Sequence, residues 1–199
     1  MYAILCTAAL MTPVAEDKTP DARPTDPVTI KLVARQTTYK LDLGGKTGKE
    51  FQAYLKDVQD GKVRGRIPPA PAVDLVLEIV NNTDKEVKVW TGGDPVQIHL
   101  ELKGPGAVSI RPGLAFTTDF RGPVPSTIAA GKKFEMPISR LTHGFRGASM
   151  YSYWTEPGEY TLSATLNTGI SPAPKGSKEQ DGFGVVKLTS SAIKIKVEK

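Results

Sequence analysis

Two histidines, His99 and His143, are the only imidazole side chains in the chain, and imidazole is the commonest metal ligand in proteins. A zinc site needs three or four ligands at recurring spacings such as HExxH. That motif does not occur, and neither histidine has a third ligand at such a spacing. We therefore expect two isolated surface histidines, no metal site and no cofactor.

Two pairs of acids, Asp94 with Glu101 and Glu156 with Glu159, have the residue types that glycoside hydrolysis uses. The second pair flanks a Pro-Gly turn, where carboxylates are solvated and no burial would raise a pKa. No serine lies in a GxSxG motif, the usual setting of a serine nucleophile in hydrolases. These observations predict a protein that is not an enzyme.

Aromatic residues are the stronger candidates for a binding site, because exposed rings pack against sugars and partner proteins. The candidate ligand-binding residues are Trp90, Phe116, Phe120, Tyr151, Tyr153 and Trp154. Within the run YSYW, Tyr151 and Tyr153 share one face of a strand, and Trp154 lies on the other. One face has to be core, so packing explains at least half of the set. A carbohydrate-binding role requires coplanar, exposed rings.

The run that carries half of these rings, residues 151–166, predicts a strand, a tight Glu-Pro-Gly turn and a second strand. Apolar residues alternate with polar ones along the second strand, which is the period of a strand with one buried and one wet face. The predicted inward-facing residues are Tyr160, Leu162, Ala164 and Leu166.

Seven further runs have the composition of strands, and one predicts a helix. The strand runs are residues 28–43, 73–80, 86–90, 96–102, 107–110, 133–141 and 185–197. The helix is predicted at residues 46–61, with Thr47 as N-cap and Glu50 completing a capping box. Residues 73–80 and 86–90 predict either a hairpin or a pair of strands that crosses between sheets.

Gly and Pro account for 19 and 16 of the 199 residues, above an average content of roughly 12%. This frequent punctuation, with no alternation of strands and helices, predicts an all-β chain. We expect an immunoglobulin-like antiparallel β-sandwich of about eight or nine strands, with one short helix inserted after the first strand. Residues 111–131 and 167–184 are predicted to be long irregular loops, a length typical of functional or disordered segments.

Residues 1–15 contain no charge and end in Pro13-Val14-Ala15, a small-residue pattern that resembles the cleavage site of a secretory signal. They lack the basic n-region of such signals and contain the only cysteine, Cys6. We expect a signal segment at 1–15, a flexible leader at 16–27 and a single domain at 28–199, located in the periplasm or secreted. The apolar run is shorter than the roughly 20 residues of a membrane span, so we expect no integral membrane segment in the mature chain.

The net charge of +5 raises the question of a nucleic-acid partner. Lysines and arginines are spread along the whole chain, and no run interleaves arginine with stacking aromatics. The sequence therefore predicts a mildly basic solvated surface and no nucleic acid among the partners.

Three short motifs resemble those of secreted bacterial immunoglobulin-like domains. They are VLEIVNN at residues 76–82, IAAGKK at residues 128–133 and PGEYTL at residues 157–162. The same order is similar to that of the bacterial intracellular proteinase inhibitor family, which is also a sandwich. The resemblance covers residues 73–166, implies a β-sandwich fold, and transfers no functional residue.

Three functions are compatible with these observations. The leading hypothesis is a non-enzymatic exported domain that binds an unknown protein or a component of the cell envelope through its long loops. The second is a carbohydrate-binding module that uses exposed aromatic rings to bind a glycan. The third is a protease inhibitor, for which residues 111–131 would supply a rigid convex loop.

Overall fold

The computed structural model describes residues 26–63, 67–112, 119–144 and 148–199. The one helix within these residues is α1 (Gly48–Gln59). The strands are β1 (Val28–Ala34), β2 (Thr38–Lys40), β3 (Ala72–Asn81), β4 (Val87–Gly92), β5 (Gln97–Lys103), β6 (Ala107–Ile110), β7 (Val124–Ile128), β8 (Lys133–Arg140), β9 (Thr142–His143), β10 (Met150–Trp154), β11 (Gly158–Ser171), β12 (Lys178–Gln180), β13 (Phe183–Thr189) and β14 (Ile193–Glu198).

Two sheets form the layers of an immunoglobulin-like β-sandwich, which confirms the predicted fold class. One sheet has the order β1-β3-β8, and both of its strand pairs are antiparallel. The other sheet is built around the long strand β11, which pairs with β13 and β14 along one edge and with β5 and β4 along the other. A third, smaller sheet has the order β6-β10-β9.

The core lies between the first two sheets. Ile30, Leu77 and Ile79 from the three-stranded sheet belong to the same buried cluster as Leu100 and Leu162 from the larger one. The predicted alternation along β11 is confirmed, because all four residues expected to face inward are at most 1% exposed. Burial of aliphatic side chains at roughly 25 cal/mol per Å² is the main stabilising contribution of such a core.

The helix begins as predicted. The Thr47 hydroxyl accepts from the Glu50 backbone N–H, and the Glu50 carboxylate accepts from the Thr47 N–H at 2.8 Å. Two of the four unpaired donors at the helix start are satisfied in this way. The buried face of α1, formed by Phe51, Leu55 and Val58, packs with Tyr153 and other residues in a second apolar cluster.

The prediction of a long loop at residues 167–184 is wrong, because β11 continues to Ser171 and the strands β12 and β13 follow. Gly169 looked like a loop residue, but it lies inside β11 against the Trp90 ring, where an added Cβ would come within 2.5 Å of a ring carbon. Close approach of a large ring is one of the reasons for a glycine within a strand.

The remaining outcomes concern strand boundaries and pairings. Of the loop predicted at residues 111–131, residues 113–118 lie outside the described ranges, and the rest includes the edge strand β7. Among the described strands β7 pairs only with β4, so it can accommodate Pro125. Residues 28–43 form two strands, β1 and β2, in different sheets. Strands β3 and β4 lie in different sheets, so of the two predicted arrangements the pair that crosses between sheets is confirmed and the hairpin is wrong. The fourteen strands within the described ranges exceed the predicted eight or nine because several are only two to four residues long.

Most of the N-terminal prediction falls outside the described ranges, which begin at residue 26. The expected signal segment and nearly all of the expected leader are therefore predictions without a structural counterpart. Among the described residues, no helix has the length and apolar character needed to cross a membrane.

Candidate functional sites: an aromatic cleft and a histidine pair

A cleft of about 690 Å³ opens between α1, β2 and the proline-rich segment 67–71. Its walls and rim contain five aromatic residues, three cations and one acid. These are Tyr39, Phe51, Tyr54, Tyr153 and Trp154; Lys40, Lys46 and Arg140; and Asp42. A concave site with an apolar body and a few polar groups is the usual form of a small-ligand site.

Tyr39 forms one wall of the cleft and is fixed at both ends. Its strand, β2, pairs in parallel with the C-terminal strand β14. Its hydroxyl donates to the Gln36 carbonyl at 2.7 Å and accepts from the Asp74 N–H at 3.2 Å. The Tyr39 ring packs 5.3 Å from the Trp154 ring, and burial raises the pKa of Tyr39. This side chain is a rigid, neutral part of the wall.

Tyr153 connects the floor of the cleft to the proline-rich segment. Its hydroxyl donates to the Pro68 carbonyl at 2.8 Å, and its ring makes an edge contact with Phe51 on α1 at 5.7 Å. Burial raises the pKa of Tyr153 well above its usual range. Because Pro restricts its own backbone and that of its predecessor, the segment 67–71 is held extended along the cleft.

The rim of the cleft is predominantly cationic. Arg140 donates from Nη1 to the Ala70 carbonyl at 3.0 Å, and Lys46 Nζ lies 5.8 Å from the centre of the Tyr54 ring. Within the described part of the chain, none of Lys40, Lys46 and Arg140 forms an ion pair, although Lys40 and Lys46 act at longer range on Glu198 and Glu50. The rim therefore presents positive charge that a bound anion would neutralise.

The structure places the six predicted ligand-binding aromatics in very different environments. Trp90, Tyr153 and Trp154 are at most 3% exposed, so they do not form the exposed, coplanar surface that the carbohydrate hypothesis required. Tyr151 is half-buried, and Phe120 is 72% exposed. Phe116 lies outside the described residues. Two of the six, Tyr153 and Trp154, nevertheless line the cleft.

Sequence reasoning missed the other residues of the cleft. Tyr54 lies in the predicted helix, where its type and spacing did not mark it as a site residue, and the structure leaves it half-buried beside Lys46. The cations come from the end of β2, from the residue before the N-cap of α1 and from the end of β8. Local patterns give no sign that these three points meet at one opening, because that depends on how the sheets pack.

The expectation of two isolated surface histidines is wrong. The His99 and His143 rings are in contact, with centres 4.4 Å apart and planes at 81°. His143 is only 6% exposed, and both of its ring nitrogens are buried without a hydrogen-bond partner among the described residues. Burial, and the nearby charges of His99 and Arg111, lower the pKa of His143 to about 4.

Backbone pairing brings the two histidines together. His143 is the last residue of β9, and the following Gly144 N–H donates to the Ile98 carbonyl on β5 at 3.2 Å. This bond holds the end of β9 beside His99. On the other side of β9, Met150 of β10 is the direct partner of His143 in the ladder. Arg111 follows β6 and reaches the Met150 sulfur with Nη2 at 3.5 Å.

The comparisons with known proteins add nothing beyond the general fold. No protein-family model and no curated protein matches the chain. One similar solved structure is the cupredoxin domain of amoB from Nitrosocaldus yellowstonii, at 14% identity and a TM-score of 0.29, with 86% of this chain and 87% of that one covered. Another is a PapD-like domain of human CEP192, at 12% identity and a TM-score of 0.25, with 99% of both chains covered. Similarity at this level assigns no family or function, and the likeness to the proteinase inhibitor family stays a prediction.

Proposed function

We propose that the chain is a non-enzymatic binding domain and that the cleft beside α1 binds an acidic saccharide. The observation that carries this proposal is the combination of aromatic walls with a rim on which Lys40, Lys46 and Arg140 lie without an ion-pair partner among the described residues. The walls suit an apolar ring face, and the rim suits a carboxylate or sulfate on the same ligand.

Each part of the cleft has a specific task in this proposal. Tyr54 is the half-buried ring on which a sugar can pack, since amphipathic rings accept C–H groups on their faces. Arg140 uses one terminal nitrogen for Ala70, and its remaining donors suit bidentate binding of a carboxylate. Lys46 is close enough to Tyr54 to bind the anionic group beside the stacked ring.

The test is a titration of the protein with acidic and neutral oligosaccharides of equal length, for example oligogalacturonates against galacto-oligosaccharides. We expect selective binding of an acidic one, weakened by raising the ionic strength from 0.05 to about 0.5 M. Tyr54→Ala and Lys46→Ala should each reduce the affinity about tenfold. Lys49→Ala is the matched control for Lys46→Ala, because Lys49 is an exposed lysine in the first turn of α1 that does not line the cleft.

Two results would reject the proposal. One is the absence of binding across a panel of uronate-containing and sulfated oligosaccharides. The other is binding that Lys49→Ala weakens as much as Lys46→Ala, which would indicate attraction to the overall charge of +5 rather than to the cleft.

A second candidate function is protein binding through the segment 119–128. It is favoured by two exposed apolar side chains, Phe120 at 72% and Val124 at 57% exposure, since contacts between proteins favour exposed aromatic side chains. A photo-crosslinking residue in place of Phe120 should capture a defined protein from envelope fractions. The same residue in place of Lys178 should not, because three strands of the same sheet separate its strand, β12, from β7. Equal capture from both positions would contradict this function.

The protease-inhibitor alternative is tested by an inhibition panel, and export by sequencing the N-terminus of the protein from its native cells. Cleavage after Ala15 is the expected outcome for export. An intact Met1 would contradict it.

A further inference from the structure

A buried imidazole without partners needs a physical explanation. A neutral histidine carries one N–H donor and one acceptor nitrogen, and each costs about 1–3 kcal/mol when buried and unpaired. Both nitrogens of His143 are in this condition within the described structure. Such a group in a native protein indicates strain, a catalytic task or a missing water or ion.

A second imidazole lies close to the distance at which two rings can share an ion. Metal–nitrogen bonds to histidine are about 2.0–2.1 Å long, so two imidazoles on one ion have ring centres about 4.5–6.5 Å apart. The observed separation of His99 and His143, 4.4 Å with planes at 81°, is just below this range, so sharing an ion requires a small shift of the exposed His99 ring. His99 is exposed, so an ion can reach the pair from solvent.

A third donor is supplied by the neighbouring strand. Met150 is directly opposite His143 in the β9–β10 ladder. Side chains at directly opposite positions project from the same face, with Cβ atoms about 4.5–5.5 Å apart. Among the described residues, the Met150 sulfur has one polar contact, from Arg111 Nη2 at 3.5 Å, and a thioether in such a weak contact can turn toward an ion.

We propose that His99, His143 and Met150 form a binding site for monovalent copper, Cu(I). Thioether ligands select this soft ion, and imidazole also suits copper. Harder ions such as Mg²⁺, Ca²⁺ and Mn²⁺ require carboxylates, and the described residues contain no group of three or more His, Cys, Asp and Glu that could hold a metal. Arg111 adds a positive charge close to His143 and Met150, which disfavours a divalent ion more strongly than a monovalent one.

The test uses the full chain carrying Cys6→Ser, so that the only thiol cannot bind copper. Under anaerobic conditions, Cu(I) is partitioned between the protein and the chromophoric chelator bicinchoninate. We expect one equivalent of Cu(I) per chain, with X-ray absorption showing both nitrogen and sulfur neighbours. His99→Ala and Met150→Leu should each lower the affinity at least tenfold. Met136→Leu, at a half-buried methionine of β8, should leave it unchanged.

His99→Ala keeps the test decisive even if a change at buried His143 prevents folding, because His99 is exposed. The proposal is overturned if bicinchoninate retains all the Cu(I). It is also overturned if His99→Ala and Met150→Leu bind as the parent does, or if the bound ion has no sulfur neighbour. Zn²⁺ binding as tightly as Cu(I) would reject the selectivity for a soft ion.

Discussion

The aromatic cleft and the histidine pair share one strand, β10, but differ in how their buried polar groups are satisfied. In the cleft, the Tyr39 and Tyr153 hydroxyls both have backbone partners at 2.7–2.8 Å. In the histidine pair, the His143 nitrogens have no partner among the described residues. A satisfied polar group contributes to rigidity, whereas an unsatisfied one lowers stability until a ligand completes it. The cleft is therefore a preformed surface, and the histidine pair is a site that an ion would complete.

The largest loss of stability should come from removing the Tyr153 ring from the floor of the cleft. Tyr153→Ala deletes a ring that is 1% exposed and contacts Phe51, so we expect the free energy of unfolding to fall by about 3–5 kcal/mol. Chemical denaturation monitored by circular dichroism measures this change. Tyr54→Ala, at a half-buried ring that packs at the edge of the same apolar cluster, is the control and should cost less, about 1–2 kcal/mol. Equal losses would show that the Tyr153 ring is no more part of the core than Tyr54.

The second largest effect is the pH dependence of the free energy of unfolding that His143 causes in the metal-free protein. The pKa of His143 is lowered from 6.5 to about 4 in the folded state, so between these values the unfolded chain binds more protons than the folded one. The contribution of neutral His143 to the free energy of unfolding is therefore complete above about pH 6.5. It falls as the pH is lowered toward 4, by on the order of 2 kcal/mol. The charged and titratable groups that act on this ring are His99 and Arg111.

Denaturation at several pH values, with His143→Leu as the matched variant, isolates this contribution. Carboxylates that titrate over the same range act equally in both proteins, so the difference between the two curves belongs to His143. A difference that stays constant between pH 7.5 and 4.5 would contradict the lowered pKa.

The third prediction compares the loss of one polar group from each region at pH 7.5. Tyr153→Phe leaves the Pro68 carbonyl without its donor and should cost about 1 kcal/mol. His143→Leu removes two unpaired nitrogens, so in the metal-free protein it should be neutral or stabilise by up to about 1 kcal/mol, since removing buried polar groups that lack partners relieves their desolvation cost. If both substitutions destabilise equally, the contrast between the two regions is wrong.

Local sequence patterns predicted the features that depend on neighbouring residues and did not predict those that depend on how the strands pair. The capping box of α1 and the alternation along β11 depend on neighbouring residues, and both are confirmed. The His99–His143 contact depends on how β9 is bonded to β5 and β10, which no local pattern encodes. The loop predicted around Gly169 was wrong for a similar reason, because the ring that this glycine contacts, Trp90, is distant in sequence. The cleft was only partly predicted, since its rings were recognised but its cations were not.

The smallest expected effect is a change in ligand affinity at the cleft that leaves the histidine pair unaffected. The helix α1 contributes Phe51 and Tyr54 to the cleft and no residue to the histidine pair. Thr47→Ala removes the hydroxyl that accepts from the Glu50 N–H and should lower stability by about 1 kcal/mol. Fraying of the first turn loosens the cleft beside Lys46, so binding of the acidic saccharide should weaken about two- to fivefold. Cu(I) affinity should stay unchanged, because β5, β9 and β10 hold that site without the helix. Paired titrations of the same variant measure both affinities, and a parallel loss in both would show that the two regions respond to α1 as one unit.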